Sequence, residues 1–258
     1  MRYFLKLSYN GANFHGWQSQ PNAVGVQQII EEALSVVTRL PISIVGAGRT
    51  DAGVHARQMF AHFDLPEPIS DKGRFLLSIN RIVGKDIAFL DLIQVADDAH
   101  ARFDATERIY KYFVSFEKSP FLHPYSWRSP SDLDIVKMNE AAKILISTSD
   151  FTSFAKLHSD SKTNICKVSE AVWQPINQDS TEKSFLMDNG IVFTIAADRF
   201  LRNMVRAIVG TLVDVGRGKL SLDGFRDIIG KKDRCSAGTS MPPHALFLWK
   251  VKYPFFSN

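Results

Sequence analysis

The sequence predicts an α+β fold of two halves with similar element order, their antiparallel sheets flanking or jointly lining one cleft. Three observations carry that expectation. Apolar patterns of period two and period 3.6 alternate in the order strand, helix, strand, strand, helix, strand, which is the order of a ferredoxin-like split unit. A similar order returns after a boundary near residues 100–108. Neither a low-complexity stretch nor a flexible linker separates the two, which divides the chain into 1–105 and 106–258.

The elements follow in order. Tyr3, Leu5, Leu7 and Tyr9 alternate with Phe4, Lys6 and Ser8 as a strand, and Asn10-Gly11 supplies a turn dipeptide. From Val26, Ile30, Ala33, Leu34, Val37 and Leu40 recur at helical steps with Glu31, Glu32 and Arg39 outside the stripe. Ile42 to Val45 reads as a short strand, and Met59, Ala61 and Phe63 alternate as another. A short helix over Arg74 to Ile82 and a strand over Ile87 to Val95 close the first half. In the second half, Tyr110, Tyr112, Val114 and Phe116 alternate on a strand, and Ile135 to Ile146 is amphipathic. Strands are expected near Val168–Trp173 and Ile191–Ala197, then a long helix over Arg199 to Val215. A short helix from Ser221 and a strand over Phe247 to Tyr253 complete the chain.

Composition bounds the function. With 258 residues, 45% of them hydrophobic and 22% charged, the chain can bury a large core without disulfides or metal. No apolar run approaches the ~18 residues needed to span a bilayer, and the start lacks a signal-peptide pattern. Cys166 and Cys235 fit no metal spacing and suit a reducing compartment, so a soluble, cytoplasmic protein is expected. The net charge of +4 permits a polyanionic partner without requiring one.

Three segments stand out. Gly46-Ala47-Gly48-Arg49-Thr50-Asp51-Ala52-Gly53-Val54-His55 follows a strand and is glycine-rich, with Arg49 and Asp51 two residues apart. A loop with an Asx turn at Asp51 explains it; so does a backbone that lets a ligand approach closely. The spacing is that of neither a phosphate loop nor a dinucleotide loop. On the expected long helix, Arg199, Arg202 and Arg206 fall at i, i+3 and i+7 near the N-terminus. The helix macrodipole disfavours cations there, so either an anionic partner or a buried carboxylate is implied. In Arg108-Ile109-Tyr110-Lys111-Tyr112, the two tyrosines share a strand face, as core residues or as a stacking platform for a base. The seven histidines (15, 55, 62, 100, 123, 158 and 244) form no metal-ligand pair, and no nucleophile elbow is present.

Together the motifs GAGRTDAGVHA, ARFDATERIYKYFV, DFTSF and NMVRAIVGTLVDVGRG identify a likeness that no single one carries. In that order, and from KLSYNGANFHGWQSQP to FLWKVKYP, the chain resembles the TruA family of tRNA pseudouridine synthases. The resemblance implies an isomerase that converts uridine to pseudouridine at positions 38, 39 and 40 of the tRNA anticodon stem-loop, without cofactor or metal. It implies a homodimer whose protomers hold two ferredoxin-like halves around a basic cleft. By motif position, Asp51 matches the catalytic aspartate, and Tyr110 the tyrosine that packs on the target base and acts on its proton. Arg206 matches the arginine that pairs with the carboxylate, and Arg49 the loop arginine linked to flipping the nucleotide out. Arg199 and Arg202 are expected to hold RNA phosphates. Gly25 stands where the family often has a Ser before the first helix, which leaves a weaker cap.

The chemistry asks for these groups. A stacked base must be extruded at a cost of a few kcal/mol, and a cation on a loop can fill the vacated space. A carboxylate beside sugar and base serves as nucleophile or base, and a cation opposite a carboxylate favours its charged form. A non-catalytic RNA-binding protein would use the same basic and aromatic residues but has no need of Asp51. A metal-dependent phosphoesterase needs clustered ligands that the sequence does not offer.

Overall fold

The computed structural model describes residues 1–157, 162–176 and 189–256. The chain forms two compact units, Met1–Glu107 with Leu248–Asn258, and Arg108–Phe247.

In the first unit, β1 (Arg2–Tyr9) is followed by α1 (Val26–Thr38), β2 (Val45–Gly46), β3 (His55–Asp64), α2 (Lys72–Ile82) and β4 (Ile87–Val95). Strand β1 lies between β4 and β3 and pairs antiparallel with both, in registers such as Leu5↔Ala61 and Leu5↔Leu92. The expected strand over Ile42 to Val45 shrinks to β2, which adds Val45↔His62 and Gly46↔Ala61 to β3. Helix α1 buries Val26, Ile30, Ala33 and Leu34 of the stripe read from the sequence, whereas Val37 is half-buried and Leu40 lies exposed beyond its end. No side chain caps it. A Cβ at Gly25 would stand 2.4 Å from the Gln18 carbonyl oxygen, so this packing excludes the serine cap outright. Helix α2 is tied to β4 through Asn80, whose amide donates to the Phe89 carbonyl at 3.0 Å while its carbonyl accepts from the Phe89 amide at 2.8 Å.

In the second unit, β5 (Glu107–Ser115), β6 (Trp127–Arg128), α3 (Ile135–Ile146), β7 (Val168–Pro175), β8 (Gly190–Ala197), α4 (Met204–Gly216) and α5 (Leu222–Lys231) follow. Strand β8 is central between β5 and β7, antiparallel to both. Every residue of it is buried, which is why it reads as a continuous apolar run without alternation. Helix α3 turns Met138, Ala141, Ala142 and Leu145 inward, and Asp134 caps it by accepting from the Lys137 amide at 3.0 Å. Helix α4 is buried on nearly all sides.

Strand β9 (Leu246–Lys252) ends the chain, and its residues from Leu248 onward belong to the first unit, beside β3. The expected division had left all of 106–258 in the second half. Periodicity shows that this segment is a strand but not which strand it will pair with. Several bonds hold it: Thr106 N–H to the Lys252 carbonyl (2.9 Å), Lys252 to Glu107 (2.6 Å) and Tyr253 hydroxyl to the Ala101 carbonyl (2.5 Å). The following aromatics explain why Phe4, on the polar face of an alternating strand, is fully buried. The rings of Tyr253, Phe255 and Phe256 stand edge-on to it at 5.3 to 5.8 Å.

A second correction concerns the long helix. It begins at Met204, so Arg199 and Arg202 precede it and the three-arginine face does not exist. Asn203 stops it: its φ of 66° is left-handed, a conformation asparagine tolerates but a right-handed helix cannot pass through. A separate turn, closed by the Met204 amide on the Leu201 carbonyl at 3.1 Å, carries Arg202.

Candidate active site

In the first unit the 47–54 loop is anchored from beneath. Thr50 is buried, and its Oγ1 lies 2.9 Å from the Tyr9 hydroxyl at the end of β1. Its carbonyl accepts from the Trp17 amide at 3.2 Å, and the Gly53 amide donates to the Phe14 carbonyl at 3.2 Å. His55 is also buried, and its Nδ1 accepts from the Gly11 amide at 3.0 Å, which leaves Nε2 as the protonated nitrogen of the neutral ring. The 11–17 segment can lie this close because of its two glycines: a Cβ at Gly11 would stand 2.0 Å from the Val54 carbonyl oxygen. Gly16 has a φ of 94°, and a Cβ there would stand 2.5 Å from the Thr50 carbonyl oxygen. On the other side Gly46 meets the indole of Trp17, where a Cβ would stand 2.5 Å from the ring. With Thr50 pointing inward, its neighbours Arg49 and Asp51 flank it, the first exposed and the second half-buried. The turn after them is closed by the Val54 amide on the Asp51 carbonyl at 3.2 Å. Backbone thus fixes this turn.

In the second unit the two tyrosines of β5 divide their work. Tyr112 is fully buried and donates to the Pro242 carbonyl at 3.1 Å; it is core. Burial holds its hydroxyl far above the ordinary phenol range, against the opposing pull of the nearby Arg206 guanidinium. Tyr110 is half-buried, its ring edge-on to Phe200 at 5.1 Å and 83°. Arg206 is the third residue of α4. Its Nε donates to the Met241 carbonyl at 2.6 Å, and the Met241 amide returns a bond to the Arg206 carbonyl at 3.1 Å. Arg202 lies on the preceding turn and Arg199 on the connection before it; the Asp198 carboxylate accepts from the Arg199 amide at 2.7 Å and the Arg202 carbonyl from the Lys156 amide at 3.0 Å. Of the three arginines read as one helical face, only Arg206 meets the positive end of the macrodipole.

Sequence reasoning missed the scaffold of both groups: Tyr9, Trp17, Thr50 and His55 in one unit, Asn203, Arg234, Ser240 and Met241 in the other. No periodic or spacing signal marks these roles: Tyr9 reads only as a strand residue, and the contacts of Thr50, Asn203 and Met241 join segments distant in the chain. Of the histidines, His55 and His62 prove to be buried hydrogen-bond acceptors; His158 lies outside the described residues.

The comparisons with known proteins agree in kind. The family model described as tRNA pseudouridine synthase matches residues 141–254. That part of the chain is similar to the pseudouridine synthases. At full length, it is 56% identical to tRNA pseudouridine synthase A of Parabacteroides distasonis, over 98% of this chain and 96% of the other. It is 53% identical to the protein of that name from Bacteroides thetaiotaomicron, over 98% and 91%. Against that of Bacillus subtilis the identity is 39%, over 98% and 99%. The chain belongs to the tRNA pseudouridine synthase A family. Among the described residues, no helix is long and apolar enough to cross a membrane.

Proposed function

We propose that this chain isomerises uridine to pseudouridine in tRNA, at positions 38, 39 and 40 of the anticodon stem-loop, as a cytoplasmic homodimer that uses neither metal nor cofactor. The observation that carries the reading is 56% identity to a tRNA pseudouridine synthase A along 98% of the chain. The fold reading is two ferredoxin-like halves lining a basic cleft. The antiparallel order β4-β1-β3 with β2 on β3, and the order β5-β8-β7, support the ferredoxin-like halves.

Asp51 acts on the flipped nucleotide, as nucleophile or as base toward the ribose. The C1′–N1 bond breaks, uracil turns, and C1′ bonds to C5. The C5 proton then leaves and N1 ends protonated, so the product is an isomer. Arg49 enters the space vacated in the RNA, and Arg199 and Arg202 hold phosphates. Tyr110 walls the detached uracil, and its phenolate takes up the C5 proton. Arg206 pairs with the Asp51 carboxylate and favours its charged form. The anchored Thr50 supports the first part of this reading, since it leaves Arg49 and Asp51 on a fixed turn. The half-exposed ring of Tyr110 supports the second.

The test is incubation of the purified protein with an unmodified tRNA transcript in the presence of a chelator, followed by mapping of pseudouridine. Modification at positions 38 to 40 supports the reading. Modification elsewhere, or none, overturns it.

A further inference from the structure

A strap, residues 238–241, runs along α4 from its cap Asn203 to Thr211 and meets it at four levels. The Asn203 side-chain amide donates to Ser240 Oγ at 2.6 Å. Arg206 and Met241 exchange the two bonds described above. Gly210 faces the Thr239 carbonyl so closely that no side chain fits there, and the Gly238 amide donates to Thr211 Oγ1 at 2.9 Å. The strap is gripped from its own beginning as well. Arg234 Nη2 donates to Ser240 Oγ at 2.7 Å, while Nη1 reaches the Gly238 carbonyl at 3.2 Å and that of Ala237 at 3.4 Å.

Ser240 is the node. Its hydroxyl oxygen has two lone pairs, and Asn203 and Arg234 engage both. With Ser240 held, the next residue presents the Met241 carbonyl to Arg206 Nε. A guanidinium tied at Nε keeps its plane and presents its remaining nitrogens along one edge, the geometry a carboxylate partner requires.

We propose that Arg234 is a positioning residue for Arg206: by clamping Ala237, Gly238 and Ser240 it fixes the Met241 carbonyl that aims the Arg206 guanidinium. The proposal rests on the reading of Arg206 as the partner of the reacting carboxylate. Only a planar fork reaches all three acceptors, so lysine restores the bond to Ser240 at most.

Steady-state kcat and tRNA KM are measured for Arg234→Ala, Arg234→Lys, Ser240→Ala, Arg206→Ala and the Arg206→Ala/Arg234→Ala pair, well below their melting temperatures. Arg234→Ala is expected to lower kcat by up to ~10²-fold with KM unchanged, the scale of a misplaced catalytic group. Arg234→Lys should fall between it and the native enzyme. Ser240→Ala should lower kcat as well, and it decides the matter if Arg234→Ala does not fold. The double variant should be no slower than Arg206→Ala alone, because both changes remove one function. Native kcat in both Arg234→Ala and Ser240→Ala, or losses that multiply in the pair, would overturn the proposal. Native kcat in Arg206→Ala would instead remove the reading on which it rests.

Discussion

The hydroxyl of Tyr9 lies 2.9 Å from Thr50 Oγ1 in a buried contact between the end of β1 and the middle of the 47–54 loop. It ties a rigid sheet to the residue between Arg49 and Asp51. Tyr9→Phe keeps the ring against Trp17 and leaves the Thr50 hydroxyl without this partner. The expected cost is about 1 kcal/mol of stability, read from denaturant unfolding. The turnover should drop by about tenfold, less than the ~10² that a displacement of an ångström produces. Unchanged turnover would show that the loop holds its shape without β1.

Tyr110→Phe separates packing from proton transfer. The ring keeps its edge on Phe200, so tRNA affinity should be unchanged. If the phenolate takes the C5 proton, the reaction stops after the base has been reattached, and mass spectrometry of the nucleoside finds an intermediate. Full activity would reduce Tyr110 to a wall.

The fold was legible wherever one face of an element is polar. β1, α1 and α3 were readable from their stripes. The start of α4 was not, because apolar periodicity runs through Leu201 while a single left-handed residue, Asn203, decides where the helix begins. The partner of β9 was hidden for a different reason, since strand pairing across the chain leaves no local trace. At the candidate site, Asp51 and Arg49 were found because a GRTD motif is unusual. Thr50 and Tyr9 were not, because a hydroxyl pair from two distant segments resembles any other Thr and Tyr.

Arg49, Arg199 and Arg202 are expected to contact phosphates even though they share no helix face. The affinity for tRNA should fall with salt, and each alanine variant should flatten the log–log slope by about 0.7–0.9 per lost contact. Slopes unchanged from the native one in all three variants would remove them from the interface.

His62 predicts an acid-sensitive fold. It is buried, its Nδ1 accepts from the Ala101 amide at 3.1 Å, and its ring lies 4.7 Å from that of His100. Burial first, then the Arg2 and His100 charges, lower its pKa to about 4. The unfolded chain therefore binds the proton near pH 6.5 and the folded chain does not, so stability is lost as pH falls from about 6.5 toward 4. At ~1.4 kcal/mol per unit the loss is at most about 3 kcal/mol. His100 is shifted the same way and adds to it, whereas Asp64, held low by Arg2, loses its contribution only as pH falls from the ordinary value of 3.8 downward. In His62→Asn, whose carbonyl can replace the acceptor, the melting temperature should change less across this window. An equal change in both proteins would contradict the assignment.

Asp51→Asn tests the central claim most directly. The substitution keeps the size of the side chain and removes its charge, leaving Thr50 and the turn in place. Single-turnover incubation with an unmodified tRNA transcript, with tRNA affinity measured in parallel, should show native binding and no pseudouridine at positions 38 to 40. Pseudouridine formation at more than a few per cent of the native rate would show that another group performs the chemistry.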